Sequence, residues 1–217
     1  VKIRGYPVVV EGKETEKWEI LLDSPEVKLN IEQIPRADRP HSNRLLTKRL
    51  DYHINQYIMN DCSGTMAVEF ENQQVQNIDF TGYGYCEHCW GVQPRQSTAH
   101  WLHFWSDSMA GVIMNCFYDE GVPHHYTYLW LPSLEEHYLF SPAQFHFDPL
   151  KPDSSWQIKS PDLELVVTPF YKETNRMRIP PILSYIKIDY HELFVKICGR
   201  AIIKGKEHPI NGIGKYD

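Results

Sequence analysis

Ten consecutive residues hold the densest chemistry in this chain: Gly82-Tyr83-Gly84-Tyr85-Cys86-Glu87-His88-Cys89-Trp90-Gly91. Glu87 and His88 put a carboxylate beside an imidazole, the pair of groups that general acid–base chemistry uses. A carboxyl enclosed by apolar walls holds its proton and can act as an acid, with the imidazole as its partner in a cavity. The reading favoured by the residues alone is a buried polar network tying two domains together, with Trp90 packed beside it. Cys86-x-x-Cys89 with His88 has the spacing of half a zinc site. No second Cys or His pair follows at matched spacing, so no metal site is assigned. A redox Cys-x-x-Cys needs a helix N-terminus to depress its thiol pKa, and this stretch reads as strand and loop. Gly82-x-Gly84 lacks the third glycine and the βαβ setting of a dinucleotide loop.

A second set of side chains suits an apolar ligand with one or two oxygens. Trp101, His103 and Trp105 share one face of a strand, and His100, Leu102 and Phe104 share the other. His124, Tyr126, Tyr128 and Trp130 alternate in the same way, opposite His125, Thr127 and Leu129. With Tyr85 and Trp90, the residues Trp101, His103, Trp105, Tyr126 and Tyr128 form the expected ligand-binding set. The alternative is plain barrel core, or an outer face covered by another domain. The basic run Arg36, Arg39, Arg44, Lys48 and Arg49 falls in a segment broken by Pro35 and Pro40 and reads as a solvated loop.

These residues need strands to position them. Val27, Leu29, Ile31 alternate with Lys28, Asn30, Glu32; Met66, Val68, Phe70 with Ala67, Glu69; Leu163, Leu165, Val167 with Glu164, Val166; and Val195, Ile197 with Lys196, Cys198. Period two marks half-buried antiparallel strands. Between the glycine pairs lie further strands at 98–105, 112–118, 124–130, 136–140 and 144–147, separated by turn residues. The best helical window is 43–51, and it is short. The expectation is an all-β chain.

The chain also repeats itself. Trp18-Glu19-Ile20 recurs as Trp156-Gln157-Ile158, and Ser24-Pro25-Glu26 as Ser160-Pro161-Asp162. Gly64 recurs as Gly199, and Gly82-Tyr83-Gly84 as Gly212-Ile213-Gly214. The offsets are 156−18=138, 160−24=136, 199−64=135 and 212−82=130, a drift that small loop deletions produce. So long a period fits two copies of one domain. Residues 1–91 are then the rear part of a first barrel, and 92–217 a second, complete barrel of eight or nine strands. The first copy should lack its front half. Its open edges invite a homodimer through the incomplete barrel.

A net charge of −6 argues against a broad nucleic-acid-binding surface. No apolar run is long enough for a transmembrane segment. Five cysteines, an odd and scattered number, argue against a disulfide scaffold and point to a cytoplasmic setting.

Gly-x-Gly-Tyr-x-acid-His-x-Trp-Gly resembles the signature of the AttH-like, carotenoid 1,2-hydratase (hydroxyneurosporene synthase) family of lipocalin-related proteins. The tail Tyr190, Glu192, Val195, Gly199, Gly205, Gly212-Ile213-Gly214 is similar to that family's last strands. The resemblance covers about residues 18–217 and only the latter part of a family member. It implies tandem calycin barrels with the motif at the passage from the first barrel to the second. It also implies a hydrophobic small-molecule ligand, no cofactor, and hydratase, isomerase or cyclase chemistry in some members, with Glu87 and His88 as the catalytic residues. Glu87 stands where the family usually has Asp; His88, Trp90 and Gly91 match directly. The competing reading is a lipophilic-ligand carrier without chemistry.

Overall fold

The computed structural model describes residues 2–10, 13–37, 40–46, 51–70, 74–92, 97–118, 123–146, 154–179 and 186–217. They divide into two units, Val1–Gln93 and Pro94–Asp217. The first holds β1 (Lys2–Val10), β2 (Lys13–Asp23), β3 (Val27–Pro35), β4 (His41–Leu46), β5 (Asp51–Glu69) and β6 (Val75–Val92). The second holds β7 (Ser97–Ser106), β8 (Ala110–Tyr118), β9 (Pro123–Leu131), β10 (Glu136–Phe140) and β11 (Gln144–His146). It continues with β12 (Trp156–Ser160), β13 (Leu163–Ile179), β14 (Ile186–Ile203) and β15 (Lys206–Tyr216), and one 3-10 turn at Pro132–Leu134.

The second sheet runs β10-β9-β8-β7-β15-β14-β13-β12-β11, antiparallel throughout. Its two end strands, β10 and β11, are consecutive in the chain and joined by Ser141-Pro142-Ala143. Three linking residues span at most about 14 Å, so the sheet must curl until its ends meet. The enclosed face carries Leu102 and Phe104 of β7, Ile113, Leu129, Ile158, Leu165, Val195 and Ile197, all fully buried. Burying each such side chain contributes about 1.5–3 kcal/mol. Gly111 leaves room there for the Phe104 ring, which lies 2.3 Å from where a Cβ would stand. This is a lipocalin-like barrel whose interior is filled by side chains.

The first sheet runs β1-β2-β3-β5-β4, with β6 along the other side of β5. β5 is long enough to serve two neighbours on one edge, β4 through Asp51–Gln56 and β3 through Asn60–Val68. Here β2-β3-β5-β6 repeats β12-β13-β14-β15. The Glu69 N–H bonds the Glu26 carbonyl (2.9 Å) just as the Ile202 N–H bonds the Asp162 carbonyl (2.7 Å). Gly64 pairs with Ile31 and Gly199 with Leu165, so the glycine sits two residues nearer the hairpin in the second copy and stays on the same face. The fold is all-β, with tandem lipocalin-like sheets of which the second is complete and the first partial.

The face of the first sheet equivalent to the barrel interior carries Trp18, Ile20, Ile31, Met66, Ile78 and Phe80. All six are only half-buried, whereas their second-unit counterparts, such as Trp156, Ile158, Leu165 and Ile210, are buried. Two expectations fail together: the window 43–51 is not helical, and the basic run read as a solvated loop is strand over His41–Leu46, including Arg44. Residues 43–46 belong to strand β4, paired residue for residue with β5, and 47–50 lie outside the described residues. Main-chain pairing with a neighbouring strand overrides a weak local helix preference.

Candidate functional site

Strand β6 carries the motif, and strand geometry sorts its residues. Tyr85, Glu87 and Cys89 face one way; Cys86, His88 and Trp90 face the other. Glu87 and His88 are therefore not partners of each other, and Cys86 and Cys89 cannot close on one ion or on one another. Among the described residues no group of three His, Cys, Asp or Glu side chains is arranged to hold a metal.

Glu87 is the centre of a polar cluster on its face. The Tyr85 phenol donates to Oε2, as does the Gln56 amide at 3.0 Å, and the Cys89 thiol donates to Oε1 at 2.8 Å. Gln56 Nε2 also donates to the Tyr85 oxygen at 2.8 Å, so the phenol both accepts and donates. Gln56 faces Glu87 directly in the β5–β6 register and is 1% exposed. Burial, then the Glu87 carboxylate, pushes the Cys89 thiol up to about 12, against a lowering bond from Tyr52. Burial likewise raises Cys86, and takes Cys62 up to about 11. High thiol pKa values disfavour a nucleophilic role; Cys89 donates to Glu87 and Cys62 to the Asn60 carbonyl.

The opposite face of β6 continues the half-buried apolar face of the first sheet. Trp90 stacks on His53 (centroids 4.9 Å apart, planes 8° apart) and packs obliquely on His88 at 5.1 Å. His53 reaches Asp51 at 3.1 Å, and Arg44 holds the Asp51 carboxyl below its ordinary range. Trp18 packs on Tyr57 at 5.2 Å. Gly91 has φ +110°, and a Cβ there would stand 2.0 Å from the Asp51 carbonyl oxygen. The last glycine of the motif is thus a backbone requirement. Arg36 grips Asp61 through two nitrogens at 2.9 and 2.7 Å beside the Tyr83 ring, in an open cleft of about 420 Å³. Of the basic run, Arg36 and Arg44 are committed to ion pairs; Arg39, Lys48 and Arg49 lie outside the described residues.

Trp101, His103, Trp105, Tyr126 and Tyr128 come together in the second unit, on β7 and β9. They occupy the face of those strands that does not line the barrel interior; the register places Val112 between His103 and Tyr128, and Met114 between Trp101 and Tyr126. That face is buried as well: Val112, Tyr126, Tyr128 and Trp130 are all below 5% exposed. Tyr128 hydrogen-bonds to His137, which packs on Trp130 at 4.3 Å. Burial, with Lys215 adding to it, takes His103 down to about 3, so its ring is neutral.

Three polar features were not singled out from sequence. Gln56 stands between Ile54 and Ile58 in an otherwise apolar alternation, and its partnership with Glu87 follows only from register. His100 contacts the Tyr216 hydroxyl on the barrel's inner face, between Phe145 and Trp156. Lys215 joins Glu192 (2.6 Å) and Asp217 (3.4 Å) on the outer face. Asp217 is the counterpart of Glu87. Its main chain continues the β15 ladder onto Trp101 at 2.8 and 3.0 Å. Asp217 thus stands at the end of its strand, whereas β6 runs on past Glu87 to Val92; both acids point away from the apolar face.

No protein-family model matches the chain, and no curated protein sequence matches it. Among solved structures it is similar to kievitone hydratase from Nectria haematococca. The TM-score is 0.44 at 10% identity, over 99% of this chain and 86% of that one. Among the described residues no helix is long and apolar enough to cross a membrane.

Proposed function

We propose that this protein binds a hydrophobic small molecule, and that the apolar face of the first sheet is its seat. One contrast carries the reading. Equivalent apolar positions are buried in the second unit and half-buried in the first, where Trp18, Ile31 and Phe80 line a face that their own unit leaves partly uncovered. The barrel of the second unit is filled by its own side chains. Trp90 and His88 edge the open face and supply an aromatic surface and one polar point. A polyene fatty acid such as cis-parinaric acid is a suitable probe, because energy transfer from the chain's tryptophans, Trp18 and Trp90 lying at this face, reports its arrival. Saturable transfer is expected, with Ile31→Glu weakening binding at least about tenfold by placing a charge on the face. Equal affinity in Ile31→Glu would sink this seat.

A second reading, cofactor-free hydratase or isomerase chemistry, is supported by the cluster around Glu87. Three donors converge on one carboxylate and make Glu87 an acceptor, so to act as an acid it must first take up the proton of the Tyr85 phenol, which lies between Gln56 and Glu87. In hydration the acid gives its proton to one alkene carbon, water adds to the other, and the proton lost by that water restores the acid. The AttH-like motif supports placing this step at Glu87, and Tyr85 stands nearest to relay the proton. Glu87→Gln keeps the shape and removes the proton. Turnover of an isoprenoid alkene falling by about 10²-fold or more, with folding intact, supports the enzyme. Loss of about 1–3 kcal/mol of stability, with no turnover in the parent chain, assigns Glu87 a structural role.

A further inference from the structure

We infer that the free edge of β6 is a self-association site, and that two copies of the chain pair antiparallel through residues 77–83 with Phe80 facing Phe80. The reading of β6 as an acceptor starts from the repeat. Its counterpart β15 is flanked on both sides, and its far edge is taken by β7, with Gly212 opposite Ser106 and Gly214 opposite Phe104. Gly212 permits that approach, for a Cβ there would stand 2.0 Å from the Trp105 carbonyl oxygen. Among the described residues β6 pairs only with β5. At Gly82 an added Cβ would meet nothing within 4 Å, and Val75–Asn77, Asp79 and Thr81–Tyr83 are exposed. A long exposed edge is a template for another strand.

The hydrogen-bond pattern fixes which residues offer their main chain. The Phe70 N–H donates to the Gln74 carbonyl at 3.0 Å. From there, even-numbered residues of β6 direct their N–H and C=O toward β5, and Asn77, Asp79, Thr81 and Tyr83 direct theirs outward. β15 shows the same parity, since Asp217 and Trp101 exchange bonds at its far edge.

The side chains choose the register. Centring on Asp79 would oppose two carboxylates, which is destabilising. Centring on Phe80 sets Asp79 against Thr81 of the second copy, Asn77 against Tyr83, and Ile78 against the empty position of Gly82. Phe80 meets its own copy in a non-hydrogen-bonded pair, the closer of the two pair types. Even-numbered residues meet even-numbered residues, so the two half-buried apolar faces continue into each other. About eight main-chain hydrogen bonds form over this stretch. Identical edges related by a two-fold axis close the assembly at two copies.

The pairing requires no ligand, so it stands or falls apart from the binding reading. Sedimentation of the 217-residue chain at tens of micromolar is expected to show a dimer. Thr81→Pro removes an outward N–H and leaves the β5 ladder whole, as proline at a sheet edge does. That variant should sediment as a monomer with unchanged circular dichroism. Phe80→Cys should link to itself under mild oxidation, mass spectrometry finding a disulfide between two position-80 peptides. A monomeric parent chain overturns the proposal, as does a dimer that persists in Thr81→Pro. A dimer without the position-80 disulfide overturns the register.

Discussion

Gly199→Ala is expected to cost about 3 kcal/mol of stability or more, and Gly64→Ala a comparable amount, while Gly82→Ala stays within about 0.5 kcal/mol. A Cβ on Gly199 would lie 2.0 Å from the Glu164 carbonyl oxygen and 2.9 Å from the Leu165 Cα. On Gly64 it would lie 2.3 Å from the Asn30 carbonyl oxygen and 3.1 Å from the Ile31 Cα. Both obstacles are main chain of the neighbouring strand, which cannot swing aside as a side chain can. Relief requires the two strands to separate, and separation breaks ladder bonds on both sides of the long central strand. The same collision in both copies also tests whether the repeat is structural. Urea midpoints of the three single variants decide the matter. A Gly64→Ala change as mild as Gly82→Ala would show that the first copy is not held as the second is.

Much of this organisation was legible in the residues, and the reason is period two. From Ser97 to His146 five predicted strands fall on five observed ones, because alternation and turn residues mark both ends of each. The repeat was legible because the positions that must be Trp or Gly recur in order. Less legible was which face of β7 looks inward. Trp101, His103 and Trp105 are as bulky as His100, Leu102 and Phe104, so hydrophobicity gives no direction. Direction comes from closure, which the sheet order sets through pairings far apart in sequence. The candidate site shows the same limit. Glu87 and His88 look like a pair in the sequence, yet adjacent residues of a strand diverge. The real neighbours of Glu87 are Tyr85 and Cys89, two residues away on either side, and Gln56, brought in by a register that β5 sets. That register also carries an extra residue between Tyr57 and Asn60, which composition does not announce.

Acid is expected to weaken the fold through His103. In the folded chain His103 is 8% exposed, and burial takes its pKa down to about 3, from about 6.5 in the unfolded chain. Between those values the unfolded chain holds a proton there that the folded chain does not. Stability therefore rises with pH across this window, is fully present above about 6.5, and is lost as pH falls toward 3. One proton of difference corresponds to about 1.4 kcal/mol per pH unit, so about 2 kcal/mol is lost between pH 6.5 and 5. The charged group facing it is Lys215 on β15, which opposes protonation further; on β8 its neighbour is the apolar Val112. His100 is also lowered by burial and adds to the same slope. Comparing His103→Gln with the parent chain isolates His103, because shared groups cancel in the difference. Urea unfolding at pH 7, 6 and 5 should show the parent losing stability faster than the variant. Parallel lines for the two proteins would mean that His103 takes up its proton in the folded state, and that its site is open to water.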